Sequence, residues 1–308
     1  AIVIPFCALR YDFSKAGEPG TLVCPPYDAV NEQRRAELAG LNPNNAIVLE
    51  LPTGPDQYTA AKTALYQMLT SGVLFEENTP CLYYYERTYN LKSKKKRIGG
   101  YVARVGLAEH DEGVIIPHEN TLSGPKADRF ELLKATGCSF SPVYALFEDK
   151  TRTLSEQTKR LLCEKPEVEF WAEGDLHRFW VIPDGAKYLP ICAFFADQKL
   201  FIADGHHRYE TALNYRRALR ESGVKVEADH PANFVMMLLC DIDDPGLTVL
   251  PIHRLLHSLP DFAPDSLLKI WSRDFDVTRL SNPETAEIEL AKHADQNAFG
   301  FYSGGGDW

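Results

Sequence analysis

Asp204-Gly205-His206-His207-Arg208 puts a carboxylate, two imidazoles and a guanidinium into five consecutive residues. Such donors suit a phosphate or a carboxylate, for which charge-assisted hydrogen bonds are the strong kind. An apolar run, Leu200 to Ala203, precedes the cluster, and Tyr209, Ala212, Leu213 and Leu219 follow it at helical spacing. The pattern predicts a strand breaking into a helix, with Asp204 as N-cap and Gly205 allowing the turn. Free N–H groups and the positive dipole end would then favour an anion there. Cations weaken a helix at that end, so Gly205, His206, His207 and Arg208 read as a ligand-binding turn, with His206 and Asp204 as catalytic candidates. The alternative is a solvated cap with Arg208 against a surface carboxylate. A metal shared by His206 and His207 is disfavoured, because adjacent helical residues diverge by about 100°.

A second constellation is Val114-Ile115-Ile116-Pro117-His118-Glu119-Asn120-Thr121, followed by Asp128-Arg129. An apolar strand end delivers polar groups in series. Glu119 is the type of group that serves as a general base or, with Asp204, holds Mg²⁺, while His118, Thr121 and Arg129 suit phosphate. An ordinary exposed loop is the competing account. In Pro25-Pro26-Tyr27-Asp28 the prolines stiffen the backbone, which would hold Tyr27 and Asp28 for ligand contact or merely connect to a helix over 31–39 capped by Asp28. The basic stretch 92–97 reads as a solvated hairpin tip, Asp241, Asp243 and Asp244 as carboxylates at a strand's end, and His253 as a turn residue.

These groups need a scaffold. The pattern predicts strands at 47–51, 81–87, 100–105, 141–147, 179–182 and 234–240, the last central to a sheet. It predicts helices at 58–74, 130–136, 154–162, 264–271 and 283–293, and an aromatic strand near 299–302 followed by a glycine turn that suggests a severed hairpin in a longer natural protein. The fold class is α/β (α+β), with mixed sheets, flanking helices and two lobes, 1–150 and 151–308. The 308 residues are 44% hydrophobic and 25% charged, as in ordinary globular proteins. A net charge of −10 argues against nucleic acid and anionic membrane as partners. Seven scattered cysteines without Cys-x-x-Cys point to reduced thiols in a cytoplasm. No apolar run approaches the ~20 residues that cross a bilayer, and the start does not read as a signal peptide.

Taken in order, Pro5-Phe6-x-Ala8-Leu9-Arg10-Tyr11, Pro25-Pro26-Tyr27-Asp28, Asn42-Pro43, His118-Glu119-x-Thr121 with Asp128-Arg129, and Ala203-Asp204-Gly205-His206-His207-Arg208 resemble the prokaryotic family catalogued as domain of unknown function 1015 over nearly the whole chain. More remotely, the glycine-histidine-arginine turn resembles the ParB-like and sulfiredoxin-like fold, which includes free-serine kinases. That resemblance implies a strand-turn-helix phosphate site at Gly205, His206, His207 and Arg208, with Asp204 and Glu119 near a metal or an acceptor hydroxyl. The ParB helix-turn-helix region is absent, a histidine stands where sulfiredoxin has its cysteine, and Glu119 has no counterpart there. The expected function is nucleotide-dependent phosphoryl transfer or hydrolysis on a small metabolite, with Mg²⁺ and ATP, ADP or CTP. A non-catalytic sensor or scaffold for an anionic ligand is the alternative, and a DNA-associated role ranks third.

Overall fold

The computed structural model describes residues 1–121, 123–250, 253–258, 262–280 and 282–304. Two compact units divide at 249/250, so position 150 falls inside the first of them. In chain order that unit contains β1 (Val3–Ile4), β2 (Leu9–Tyr11), α1 (Phe13–Ala16), α2 (Glu32–Leu41), α3 (Ile47–Glu50), α4 (Gln57–Thr70), β3 (Leu74–Glu76), β4 (Leu82–Leu91) and β5 (Lys94–Gly106). It continues with β6 (Ile115–Ile116), α5 (Ser123–Thr136), β7 (Val143–Phe147), α6 (Thr153–Leu161), β8 (Val168–Ala172), β9 (Asp175–Ile182), α7 (Gly185–Phe195), β10 (Leu200–Asp204), α8 (His206–Glu221) and β11 (Phe234–Asp241).

A large mixed sheet runs β6-β10-β7-β11-β5-β4-β9-β8, with β1 also paired to β5, and β2-β3 form a small second sheet. The class is therefore mixed α/β, as expected, and strands from both sides of position 150 share the large sheet. β11 lies centrally, between β5 and β7, where its apolar residues Val235, Met237 and Leu239 are buried. Tyr209, Ala212 and Leu213 of α8, Ile191 and Phe195 of α7 and Leu154 of α6 join them in one core. This packing holds α8 rigidly. The Tyr209 hydroxyl also donates to the Ala108 carbonyl and accepts from the Ala108 N–H, at 2.7 and 3.0 Å.

Several elements differ from expectation. Ile47–Glu50 is one helical turn, not a strand, because a five-residue apolar run carries no period long enough to distinguish the two. Asn31, not Asp28, caps α2, its side chain accepting from the Arg34 N–H at 2.8 Å. The hairpin of β4 and β5 turns on Lys92 and Ser93 alone, both at positive φ. Lys94 to Arg97 therefore lie in the strand. β8 lies outside the strands the pattern predicts.

The second unit contains α9 (Pro264–Trp271) and α10 (Pro283–Lys292). Trp271, Phe299 and Phe301 pack edge to face nearby, although residues 299–303 form no strand. Gly305 to Trp308, the expected end of the hairpin, lie outside the described residues, as do Pro251 and Ile252 beside His253. No helix among the described residues is long and apolar enough to cross a membrane, and all seven cysteines are free.

Candidate functional site

The strand-turn-helix forms as expected, but its cap differs. Gly205 is the N-cap of α8, at φ +88°, and its side-chain-free backbone leaves the helix without a capping carboxylate. A Cβ at this position would lie 2.9 Å from Arg208 Nε. The glycine thus satisfies both a left-handed backbone and a close approach. The N–H groups of His206, His207 and Arg208 have no hydrogen-bond partner among the described residues. The helix begins with unsatisfied donors and no acidic residue in its first turn.

Asp204 instead accepts from Arg208 Nη2 at 2.6 Å, while Nη1 donates to the Pro142 carbonyl at 2.6 Å. Pro142 is within reach because β10 runs antiparallel to β7, bringing Asp204 opposite Tyr144. Arg208 is 13% exposed and its Nε is buried without a partner. The free phosphate clamp expected at Arg208 is therefore already occupied by a carboxylate and a carbonyl. His207 Nδ1 is also buried without a partner.

The second constellation reaches this turn through β6, which pairs in parallel with β10, Ile115 opposite Leu200 and Ile116 opposite Phe201. Two residues beyond β6, the His118 N–H donates to His206 Nε2 at 3.3 Å, and His118 Nδ1 is 2.8 Å from the Ile202 carbonyl. A carbonyl only accepts, so His118 carries its proton on Nδ1. A nitrogen that receives an N–H bond is unprotonated, so His206 carries its own on Nδ1 too. That nitrogen faces Glu119 Oε2 at 3.6 Å. The two rings meet edge to face, centroids 4.6 Å apart. Burial lowers the His206 pKa, His118 adds to the effect, and Glu119 opposes it. The expected neighbourhood of Glu119, His118 and His206 is thus present, and burial favours the neutral imidazole of His206.

Thr121 and Arg129 make their bonds within the protein. Thr121 donates to Glu210 at 2.6 Å and Lys126 to the same oxygen at 2.8 Å. Burial disfavours ionisation of Glu210, but those two bonds together with the charges of Lys126 and His110 outweigh it and its pKa is lowered. Arg129, expected to meet phosphate, is 6% exposed. Its Nη1 donates to the Glu50 carbonyl at 2.7 Å, its Nε and Nη2 donate to Asp128, and its guanidinium lies over the Tyr27 ring at 4.3 Å. Burial raises the Tyr27 pKa and Asp28 adds to the rise, while Arg129 and Arg208 pull the other way. The Tyr27 turn therefore lies within electrostatic reach of Arg208, and Asp28 beside it is exposed.

Glu50, Ser141 and Pro142 join the site without being singled out by the sequence pattern. The Ser141 hydroxyl donates to Glu50 at 2.7 Å, and Arg129 Nη1 is 3.7 Å from the same carboxylate oxygen. A lone acid in the apolar run Ile47 to Leu51 is the signal that was there to read, because a buried carboxylate requires partners. Asp241 ends β11 and Asp243 and Asp244 follow it; because β11 runs antiparallel to β10 across β7, they lie at the opposite end of the strands from Asp204. Among the described residues no group of three His, Cys, Asp or Glu is arranged to hold a metal. With Asp204 Oδ2 engaged by Arg208, Glu119 is the carboxylate left beside the turn for the expected Mg²⁺, an ion usually held by one or two carboxylates together with substrate phosphates.

Residues 3–308 match the family described as "Protein of unknown function (DUF1015)". No curated protein and no solved structure matches.

Proposed function

Because the chain belongs to the DUF1015 family, described only as of unknown function, we propose a reading from the site's own chemistry: a nucleotide-dependent phosphotransferase or phosphohydrolase acting on a small metabolite. The phosphate would be received by the uncapped start of α8. One observation carries this reading. Segments some ninety positions apart in the chain bring His118 and Glu119 against His206, so acid-base groups stand beside an anion-accepting helix end.

Phosphoryl transfer asks mainly for positioning and charge neutralisation. The N–H groups of His206, His207 and Arg208 would face the phosphate, and Arg208 would exchange Asp204 for it. The DGHHR turn and free-serine-kinase resemblance favour ATP, ADP or CTP as donor and a hydroxyl metabolite such as serine as acceptor. Magnesium would arrive already bound to the nucleotide, and no step is assigned to it. The reading places the protein in a cytoplasm, where nucleotides and reduced thiols occur together, without nucleic acid or membrane as a partner.

Incubation with each nucleotide, serine and Mg²⁺, followed by phosphorus NMR, tests the proposal. Appearance of a phosphomonoester or of free phosphate supports it; no turnover with any nucleotide overturns it. The pairing of Arg208 with Asp204 favours a second reading, a non-catalytic sensor whose anionic ligand breaks that pair. Saturable nucleotide binding without turnover would select it.

A further inference from the structure

We propose that His118 is the proton acceptor of this site, taking the proton of a small-molecule hydroxyl on Nε2, with His206 and Glu119 as positioning residues; this rests on the phosphotransfer reading above. Three imidazoles stand at the turn, and His206 alone among them has both ring nitrogens engaged by described residues. His206 is 4% exposed, its Nε2 lone pair receives the His118 N–H and its Nδ1 faces Glu119. The Nδ1 of His207 has no partner but is buried, out of reach of a substrate hydroxyl. His118 is exposed, and its Nδ1 proton is fixed on the Ile202 carbonyl. Its Nε2 makes no hydrogen bond among the described residues. The lone pair is therefore forced onto Nε2, and the perpendicular His206 ring fixes the plane in which it points.

A base must present an unprotonated atom in a set direction. His118 meets that condition through the backbone of β10 and a neighbouring ring. In the step itself, the acceptor O–H proton passes to Nε2. The oxygen electron pair forms the new O–P bond with the terminal phosphorus of the nucleotide. The bridging P–O bond breaks and its electron pair leaves on the shortened nucleotide; the proton on Nε2 then goes to solvent.

Diethyl pyrocarbonate labelling of the full chain, mapped by mass spectrometry, reads the free nitrogen directly. His118 should be modified well before His206, and ATP with Mg²⁺ should slow that modification. His118→Ala should lower kcat by about 10²–10³ with KM for ATP little changed, and added imidazole should restore part of the loss. Labelling of His118 no faster than of His206 overturns the assignment. So does wild-type turnover that survives in His118→Ala, or a loss carried by KM. Absence of any turnover in the wild-type protein overturns the phosphotransfer reading and this assignment together, whereas turnover insensitive to His118 overturns the assignment alone.

Discussion

The Arg129 guanidinium lies 4.3 Å from the centre of the Tyr27 ring while donating to the Glu50 carbonyl beneath it. One buried cation thereby joins the Pro-Pro-Tyr-Asp turn to α3, and Ser141 extends the connection from Glu50 to the residue before Pro142, on which Arg208 rests. Two motifs far apart in sequence are tied through one buried arginine and part-buried bonds on either side of it.

Removing Arg129 should therefore be costly. Arg129→Ala leaves the buried Glu50 carboxylate and its carbonyl without their cation, and a loss of about 3 kcal/mol is expected, seen as a lower urea midpoint at unchanged slope. Arg129→Lys should recover little, because one ammonium cannot serve Asp128 and the Glu50 carbonyl while covering an aromatic face. Full stability in the lysine variant would contradict the network.

Arg208 has two duties, and its replacement should show both. Arg208→Ala should abolish calorimetric nucleotide binding and also lower the melting temperature, since the Pro142 carbonyl loses its donor at a cost of about 1–2 kcal/mol. An unchanged melting temperature would mean that the bonds to Pro142 and Asp204 contribute nothing.

Gly205→Ala should be destabilising by about 1 kcal/mol or more, because alanine resists a φ of +88°. The added methyl also meets the Arg208 guanidinium, so weaker nucleotide binding should accompany the lower stability in calorimetry.

The lowered pKa of His206 sets the sign of a pH effect. The unfolded chain binds its proton at the ordinary histidine value of 6.5, the folded chain only at lower pH, so stability is complete above that value and is lost as pH falls below it. His177, lowered by burial beside Tyr85 and Phe170, acts in the same direction. Melting curves between pH 7.5 and 5 should decline less steeply for His206→Gln than for the wild type.

Glu210 anchors the segment that carries His118 and Glu119, through Thr121 and Lys126. Glu210→Ala should speed amide hydrogen exchange across 117–121 while exchange within β10 and β11 stays slow. Unaltered exchange would show that β6 alone holds the segment.

Much of the scaffold was legible because its signals are local. Leu200 to Leu213 change from a continuous apolar run to helical spacing across a glycine, and Phe234 to Cys240 are apolar enough for the sheet centre. The partners of the charged groups were not legible. Asp204 looked like a cap because its neighbours in sequence are helical, yet its partner is chosen by β7, which delivers the Pro142 carbonyl and turns Arg208 toward it. Arg129 looked like a ligand for phosphate because nothing near it in sequence reveals Glu50, 79 positions away. Conversely, the meeting of Glu119 with His206 depends on β6, a pairing of two residues too short to give a periodic signal.

That brevity separates the two halves of the site in durability. α8 is anchored in the main core by Tyr209 and Leu213, whereas His118 and Glu119 depend on the outermost rung of the sheet, Ile115 and Ile116. Fraying of that rung would detach the imidazole and carboxylate while the helix stays folded, separating the acid-base groups of the proposed site from its helix end.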